Sequence, residues 1–247
     1  TYYPTFSLSF RDADSLYSRG IIRVDNTPLE LTITDKPEAF TREKKKTIFV
    51  QIANPRKNDV RSVILDISGT GVTATPDKIF IGNLASGSKS QVNFTVTPEL
   101  ETPLILTLSY NNANNPHKVR MYLPITFGID KMEATPVISN VLVKSEGGIF
   151  HITGDVNNAG LETANTVMVN SLSPAVPQDP YKTYVVGALK PDDFGSFEVT
   201  FSANSTTIPL QLSFKDADGN LYTSVQDVKI SALAANSTAT GGPSLLI

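Results

Sequence analysis

The sequence contains no cysteine and no tryptophan, and only two histidines. Without cysteine there is no disulfide, no thiol nucleophile and no thiolate metal ligand. The compartment stays open, because a secreted chain does without disulfides when its domains bury enough core. No run of about 18 apolar residues occurs, so no segment reads as a membrane-spanning helix. No signal peptide is legible either. Charge of one sign is also scarce. A formal net charge of −3 over 247 residues argues against a nucleic-acid partner, since phosphate neutralisation needs clustered Lys and Arg. The one dense basic run is Arg42-Glu43-Lys44-Lys45-Lys46. It reads as a solvated loop or strand edge, with contact to a charged lipid or polymer as the alternative.

What is present is repetition. FSLSFRDADSLY near the start returns as LQLSFKDADGNLY at residues 210–222. Leu8, Ser9, Phe10, Asp12, Ala13, Asp14, Leu16 and Tyr17 recur as Leu212, Ser213, Phe214, Asp216, Ala217, Asp218, Leu221 and Tyr222. A looser copy runs from Leu108 to Asn114. The anchors Phe10, Tyr110 and Phe214 are spaced by about a hundred residues, the size of an immunoglobulin-like sandwich. A second motif recurs as IGNLASGSKSQVNFTV at 81–96 and VGALKPDDFGSFEVTF at 186–201. In each, a polar turn is followed by alternation, as in Val92, Phe94, Val96 and in Phe197, Val199, Phe201, which is the period of a strand with one buried face. A third pairs the strand ending at Asn54 with Ile152 to Gly160. Asn before a turn is expected to bond its own backbone and tolerate the left-handed conformation.

Each full unit therefore reads as about seven short strands. In the first, strands are expected near 28–34, 46–53, 60–67, 71–83 (broken by Pro76), 89–97, 103–110 and 117–126. In the second they are expected near 137–144, 148–157, 163–170, 182–188, 195–202, 208–215 and 221–230. No stretch reads as helix beyond one turn at Pro37-Glu38-Ala39-Phe40. The fold expected is all-β, with tandem immunoglobulin-like β-sandwiches at 27–127 and 135–232 joined by a linker at 128–134. Residues 1–26 read as the last hairpin of an incomplete repeat. Such a hairpin is marginal alone, so its missing strands are expected from a trimmed or two-piece domain, from strand donation by another copy, or from folding back onto the next sandwich. Residues 233–247 read as a flexible tail. Its end, Leu245-Leu246-Ile247, is either the first step of a removed membrane anchor or a loose terminus.

The chemical candidates are few. Asp216, Asp218 and Asn220 resemble the opening of a calcium loop, but no Glu sits at the twelfth position. The plainer reading is a hairpin turn with Asp-Gly supplying positive φ, and a weak cation site is the alternative. His117 and His151 have no second His nearby in sequence. No G-x-S-x-G elbow, phosphate loop or nucleophile–base pair is legible, and Asp192-Asp193 falls in a turn. No catalytic residue and no cofactor is expected. Asn93, Asn204 and Asn236 begin Asn-x-Ser/Thr sequons at positions expected to face water, as glycosylation requires.

The order of these motifs resembles the tandem immunoglobulin-like repeats of archaeal S-layer-domain proteins, related to the bacterial cell-adhesion-related domain. The resemblance runs through the turn Val156 to Gly160, Gly82 to Gly87 and Gly187 to Asp192, and the Phe-x-Asp-Ala-Asp-Gly-Asn-x-Tyr word from Phe214 to Tyr222. Residues Asn111 to Pro116 depart from it. It implies a non-enzymatic, extracellular rod of domains in the cell envelope, acting as spacer, scaffold or adhesive, with a C-terminal membrane anchor in the full-length protein. Its partners would be other surface proteins, copies of itself through edge strands, or glycans. A competing expectation is an accessory module that binds glycans or serves a transporter or hydrolase, with Tyr181, Tyr184 and Phe194 as contact aromatics. A third is a filament subunit assembled by strand donation.

Overall fold

The computed structural model describes residues 1–22, 24–130 and 133–230. All regular structure among them is β. The strands are β1 (Thr5–Leu8), β2 (Leu16–Arg19), β3 (Glu30–Asp35), β4 (Lys46–Ala53), β5 (Val60–Ser68), β6 (Val72–Thr75), β7 (Lys78–Leu84), β8 (Lys89–Pro98), β9 (Leu104–Asn112) and β10 (Asn115–Leu123). They continue as β11 (Pro136–Glu146), β12 (Ile149–Asn158), β13 (Ala164–Ser171), β14 (Val176–Pro177), β15 (Thr183–Leu189), β16 (Phe194–Ser202), β17 (Thr207–Lys215) and β18 (Leu221–Lys229).

Two sandwiches share one plan. The first has sheets ordered β3-β4-β8-β6 and β10-β9-β5-β7; the second has β11-β12-β16-β14 and β15-β13-β17-β18. The plan follows from period-two burial. In β4, Lys46, Ile48, Val50 and Ile52 face inward while their neighbours are more exposed. Val63, Leu65 and Ile67 of β5, with Leu104, Leu106 and Leu108 of β9, close the first core. In the second, Ile152, Val156, Val167, Val169, Val199, Phe201, Ile208 and Leu210 do the same. Each such side chain contributes roughly 1.5–3 kcal/mol by leaving water. By contact the chain divides into two units. The first holds residues 1–36, 48–96 and 100–125; the second holds 37–47, 97–99 and the described residues from 126 onward.

A buried asparagine repeats at one place in each sandwich. Asn54 Nδ2 donates to the carbonyls of Asn58, Leu84 and Ala85, and its Oδ1 accepts the Arg56 N–H. Asn158 Nδ2 donates to the carbonyls of Glu162 and Leu189, and its Oδ1 accepts from Thr135 and Gly160. The expected bond to the backbone of its own turn is present at Asn54, whereas the left-handed conformation is not. Both asparagines are 1% exposed, neither has positive φ, and both tie down backbone beyond their own turn, because a buried carbonyl left unpaired is costly. After Asn54 the buried Arg56 donates to the carbonyls of Asp25 and Thr27. The equivalent Gly160 leaves room instead for the backbone of Glu133 to Thr135.

The opening hairpin pairs Thr5 with Arg19 through Leu8 with Leu16, and Tyr2 bridges to Ile22. Phe6 is 61% exposed and Leu8 64%. Their counterparts in β17, Leu210 and Leu212, are buried. The hairpin's apolar side chains therefore remain in water.

Candidate functional site

Two places gather polar groups. The first is the acidic turn between β17 and β18. Asp216 is buried, and its Oδ1 accepts the Asn220 N–H at 2.8 Å while Oδ2 accepts from Asn220 Nδ2 at 2.7 Å. Gly219 takes the positive φ, 81°, so the turn closes on its own carboxylate. Asn220 also brackets Lys45: its Oδ1 accepts the Lys45 N–H and its Nδ2 donates to the Lys45 carbonyl. Asp218 Oδ1 accepts from Thr47 Oγ1 at 2.6 Å. The positive charge here is Lys46, whose Nζ lies 3.0 Å from Glu133 Oε1 and 3.6 Å from Asp216 Oδ2. No aligned hydrogen bond reaches Glu133 Oε1, so charge holds that contact. Burial works against the ammonium, but the close approach of Glu133 and the charges of Glu133, Asp216 and Asp130 outweigh it and raise the Lys46 pKa. Burial, then the charges of Glu133 and Asp216, push the Tyr222 hydroxyl far above its ordinary range.

This geometry corrects one expectation. The basic run is not uniformly solvated. Lys46 is 5% exposed because it continues the inward register of Ile48, Val50 and Ile52, while Lys44 Nζ sits 4.9 Å over the Tyr222 ring. Asp216 and Asn220 bond one another, whereas Asp218 turns to Thr47. Among the described residues no group of three or more Asp, Glu or His is placed to hold a metal ion.

The second place is the outer face of the β11-β12-β16-β14 sheet. Asn140, Leu142, Thr153, Asp155, Ser196 and Glu198 border a pocket of about 470 Å³ walled by Tyr181 and Tyr184. Asn140 sits at a register shift in β11 with φ of 51°, which sends its Nδ2 to Asp155 Oδ2 at 2.9 Å. Ser196 Oγ donates to Asp155 Oδ1 at 2.7 Å. These two bonds hold the Asp155 carboxyl below its usual range. His151 Nδ1 and Glu198 Oε1 are 3.1 Å apart. A nucleophilic triad would set the imidazole between hydroxyl and carboxylate. Here Ser196 meets a carboxylate directly and His151 meets a different one.

The tyrosine wall is built on Thr200, which is fully buried. Its hydroxyl donates to the Gln178 carbonyl at 2.7 Å and accepts the Tyr181 N–H at 3.3 Å. Its backbone N–H donates to the Tyr181 carbonyl. The Tyr181 and Tyr184 ring centres are 6.0 Å apart at 53°. Phe194 is exposed but does not line this pocket. Elsewhere, His117 stacks on Tyr110 and Asp192-Asp193 lies in the turn before β16. Asn93 and Asn204 are exposed, and Asn236 lies outside the described residues. Sequence reasoning missed Lys46, Glu133, Asp155, Asn140 and Ser196. The alternation through Lys46 was a usable signal; the others are joined by pairings that sequence does not display.

Among the described residues no helix is long and apolar enough to cross a membrane. No protein-family model matches the chain. A curated relative, an uncharacterized protein of Methanocaldococcus jannaschii, is 28% identical over 238 residues, covering 92% of this chain and 44% of its own length. The chain thus spans less than half of the relative it matches. Among solved structures, the crystal structure of red sea bream transglutaminase aligns with a TM-score of 0.29 and 14% identity, over 84% of this chain and 31% of that one.

Proposed function

We propose that this chain is a non-enzymatic structural and adhesive part of a cell envelope, built from serial immunoglobulin-like sandwiches and exposed at the surface. The observation that carries the reading is the duplicated interior. Asn54 and Asn158 perform the same internal bonding in two sandwiches of one topology, and the acidic turn spends its charges on Lys46. Polar groups committed to holding shape suit a spacer or scaffold. Exposed sequons at Asn93 and Asn204 are consistent with a glycosylated exterior. The full-length protein would be held at the envelope through an anchor and would meet other surface proteins or further copies of itself. The curated relative comes from an archaeon, which agrees with an S-layer-type setting.

Protease treatment of intact cells that make the native protein tests this. Loss of the antigen at a dose that spares a cytoplasmic marker is the expected result; protection of the antigen until the cells are lysed would overturn it. An accessory binding role is the second reading, favoured by the tyrosine-walled pocket.

A further inference from the structure

We propose that the pocket on the β11-β12-β16-β14 face binds a neutral pyranose, with Tyr181 and Tyr184 as its stacking wall and Asp155, Asn140, Ser196 and Glu198 as partners for its hydroxyls. The inference concerns ligand class and does not depend on where the protein resides.

A sugar ring presents two kinds of surface. Its C–H faces are apolar and flat, and its edges are hydroxyls that both donate and accept. A site for it needs an aromatic plane beside carboxylates and amides at adjacent positions. Here two tyrosine rings meet at 53° along the edge of a sheet face whose outward residues are Asp155, Ser196 and Glu198. The volume, about 470 Å³, falls in the range of roughly 300–1,000 Å³ usual for small-molecule sites.

The polar groups are already oriented. Each Asp155 oxygen accepts one bond, from Asn140 or Ser196, and keeps a lone pair for a sugar hydroxyl. Asn140 Oδ1 and the Ser196 hydroxyl remain able to accept. Thr200 pins the tyrosine loop from beneath, so little ordering is left for the ligand to drive.

Charge narrows the class. No lysine or arginine is among the described lining residues, and two carboxylates disfavour uronic or sulfated sugars. An ammonium ligand would also suit tyrosines and carboxylates. Against it, Glu198 already faces His151, and the acceptors at Asn140 and Ser196 are arranged around Asp155 as a mixed donor–acceptor set. An ammonium donates only.

The test is an amide-shift titration of the isotope-labelled chain with the methyl glycosides of glucose, galactose and mannose. Choline and glucuronate are the counter-probes. At least one neutral glycoside is expected to give saturable shifts at Asp155, Tyr181, Tyr184 and Ser196, with a Kd on the order of 1 mM. Tyr181→Ala and Asp155→Ala should each weaken it about tenfold or more, while Tyr181→Phe, which keeps the ring, stays within about threefold. Unchanged dispersion in the spectra certifies that each variant is folded. If none of the three glycosides perturbs these residues saturably, or if choline or glucuronate binds as tightly, the proposal fails. It also fails if a folded Tyr181→Ala binds like the parent.

Discussion

Lys46 stands where the inward alternation of β4 demands an apolar residue, and two acids receive it. Removing its charge leaves Asp216 and Glu133 uncompensated in a buried place. Lys46→Met is expected to cost about 3–5 kcal/mol, the usual penalty for breaking a buried pair from one side, measured by urea unfolding of the second unit. The same cluster sets an alkaline limit. The folded pKa values of Lys46 and Tyr222 both lie above their ordinary values of 10.5 and 10.0. For a raised group the stabilisation is complete below the unfolded value and is lost as pH rises through the folded one. Glu133, Asp130, Asp216 and Glu162 surround these groups. The urea midpoint should therefore hold steady through neutral pH and fall above about pH 10, and Tyr222→Phe should blunt the fall. A midpoint that holds unchanged well beyond that pH would contradict the assignment.

At the scale of elements, Gly160 shows how a strand end closes. A Cβ there would collide with the Glu133 carbonyl oxygen and the Thr135 nitrogen and lie 2.7 Å from Ala134 Cα. These are backbone atoms, which cannot swing aside. Gly160→Ala is expected to displace residues 133–135 and to break the bonds from the Leu161 N–H to the Glu133 carbonyl and from the Ala159 N–H to the Thr135 carbonyl. Faster hydrogen exchange at Leu161 and Ala159, with β16 and β17 little changed, is the readout. The strands themselves were legible in sequence because period two needs only local reading. The segment 46–53 is β4 itself, and the expected strand at 71–83, broken by Pro76, is β6 and β7 on either side of that residue. Strand β14 was not legible: two residues, Val176 and Pro177, are too short to alternate. The site was less legible than the fold. Asp155 and Ser196 are neighbours only because β12 pairs with β16 in one register, and Asn140 reaches them only through a shift in β11. Asp216 to Asn220 was readable as a turn, yet its capture of Lys45 joins residues 175 positions apart.

For the whole molecule, unit boundaries and repeat boundaries are different things. Residues 37–47 fall in the first repeat by sequence but in the second unit by contact. A piece cut to residues 126–230 would lack Lys46, so its Asp216 would lose the ammonium. Asp216→Asn is then expected to cost about 1–3 kcal/mol more in the full chain, where an ammonium loses its partner, than in the piece. Urea unfolding of all four proteins reads that difference, and equal effects in both settings would refute it. The buried guanidinium of Arg56 carries one more consequence. Trypsin must draw an arginine into its own specificity pocket before it cuts. Arg56 is 2% exposed and spends its guanidinium on the carbonyls of Asp25 and Thr27, whereas Arg11 and Arg19 of the opening hairpin lie in water. A brief native digest should nick the chain after Arg11 and Arg19 while the Arg56–Lys57 peptide bond survives, so the fragment pattern by mass reports whether the first sandwich is intact.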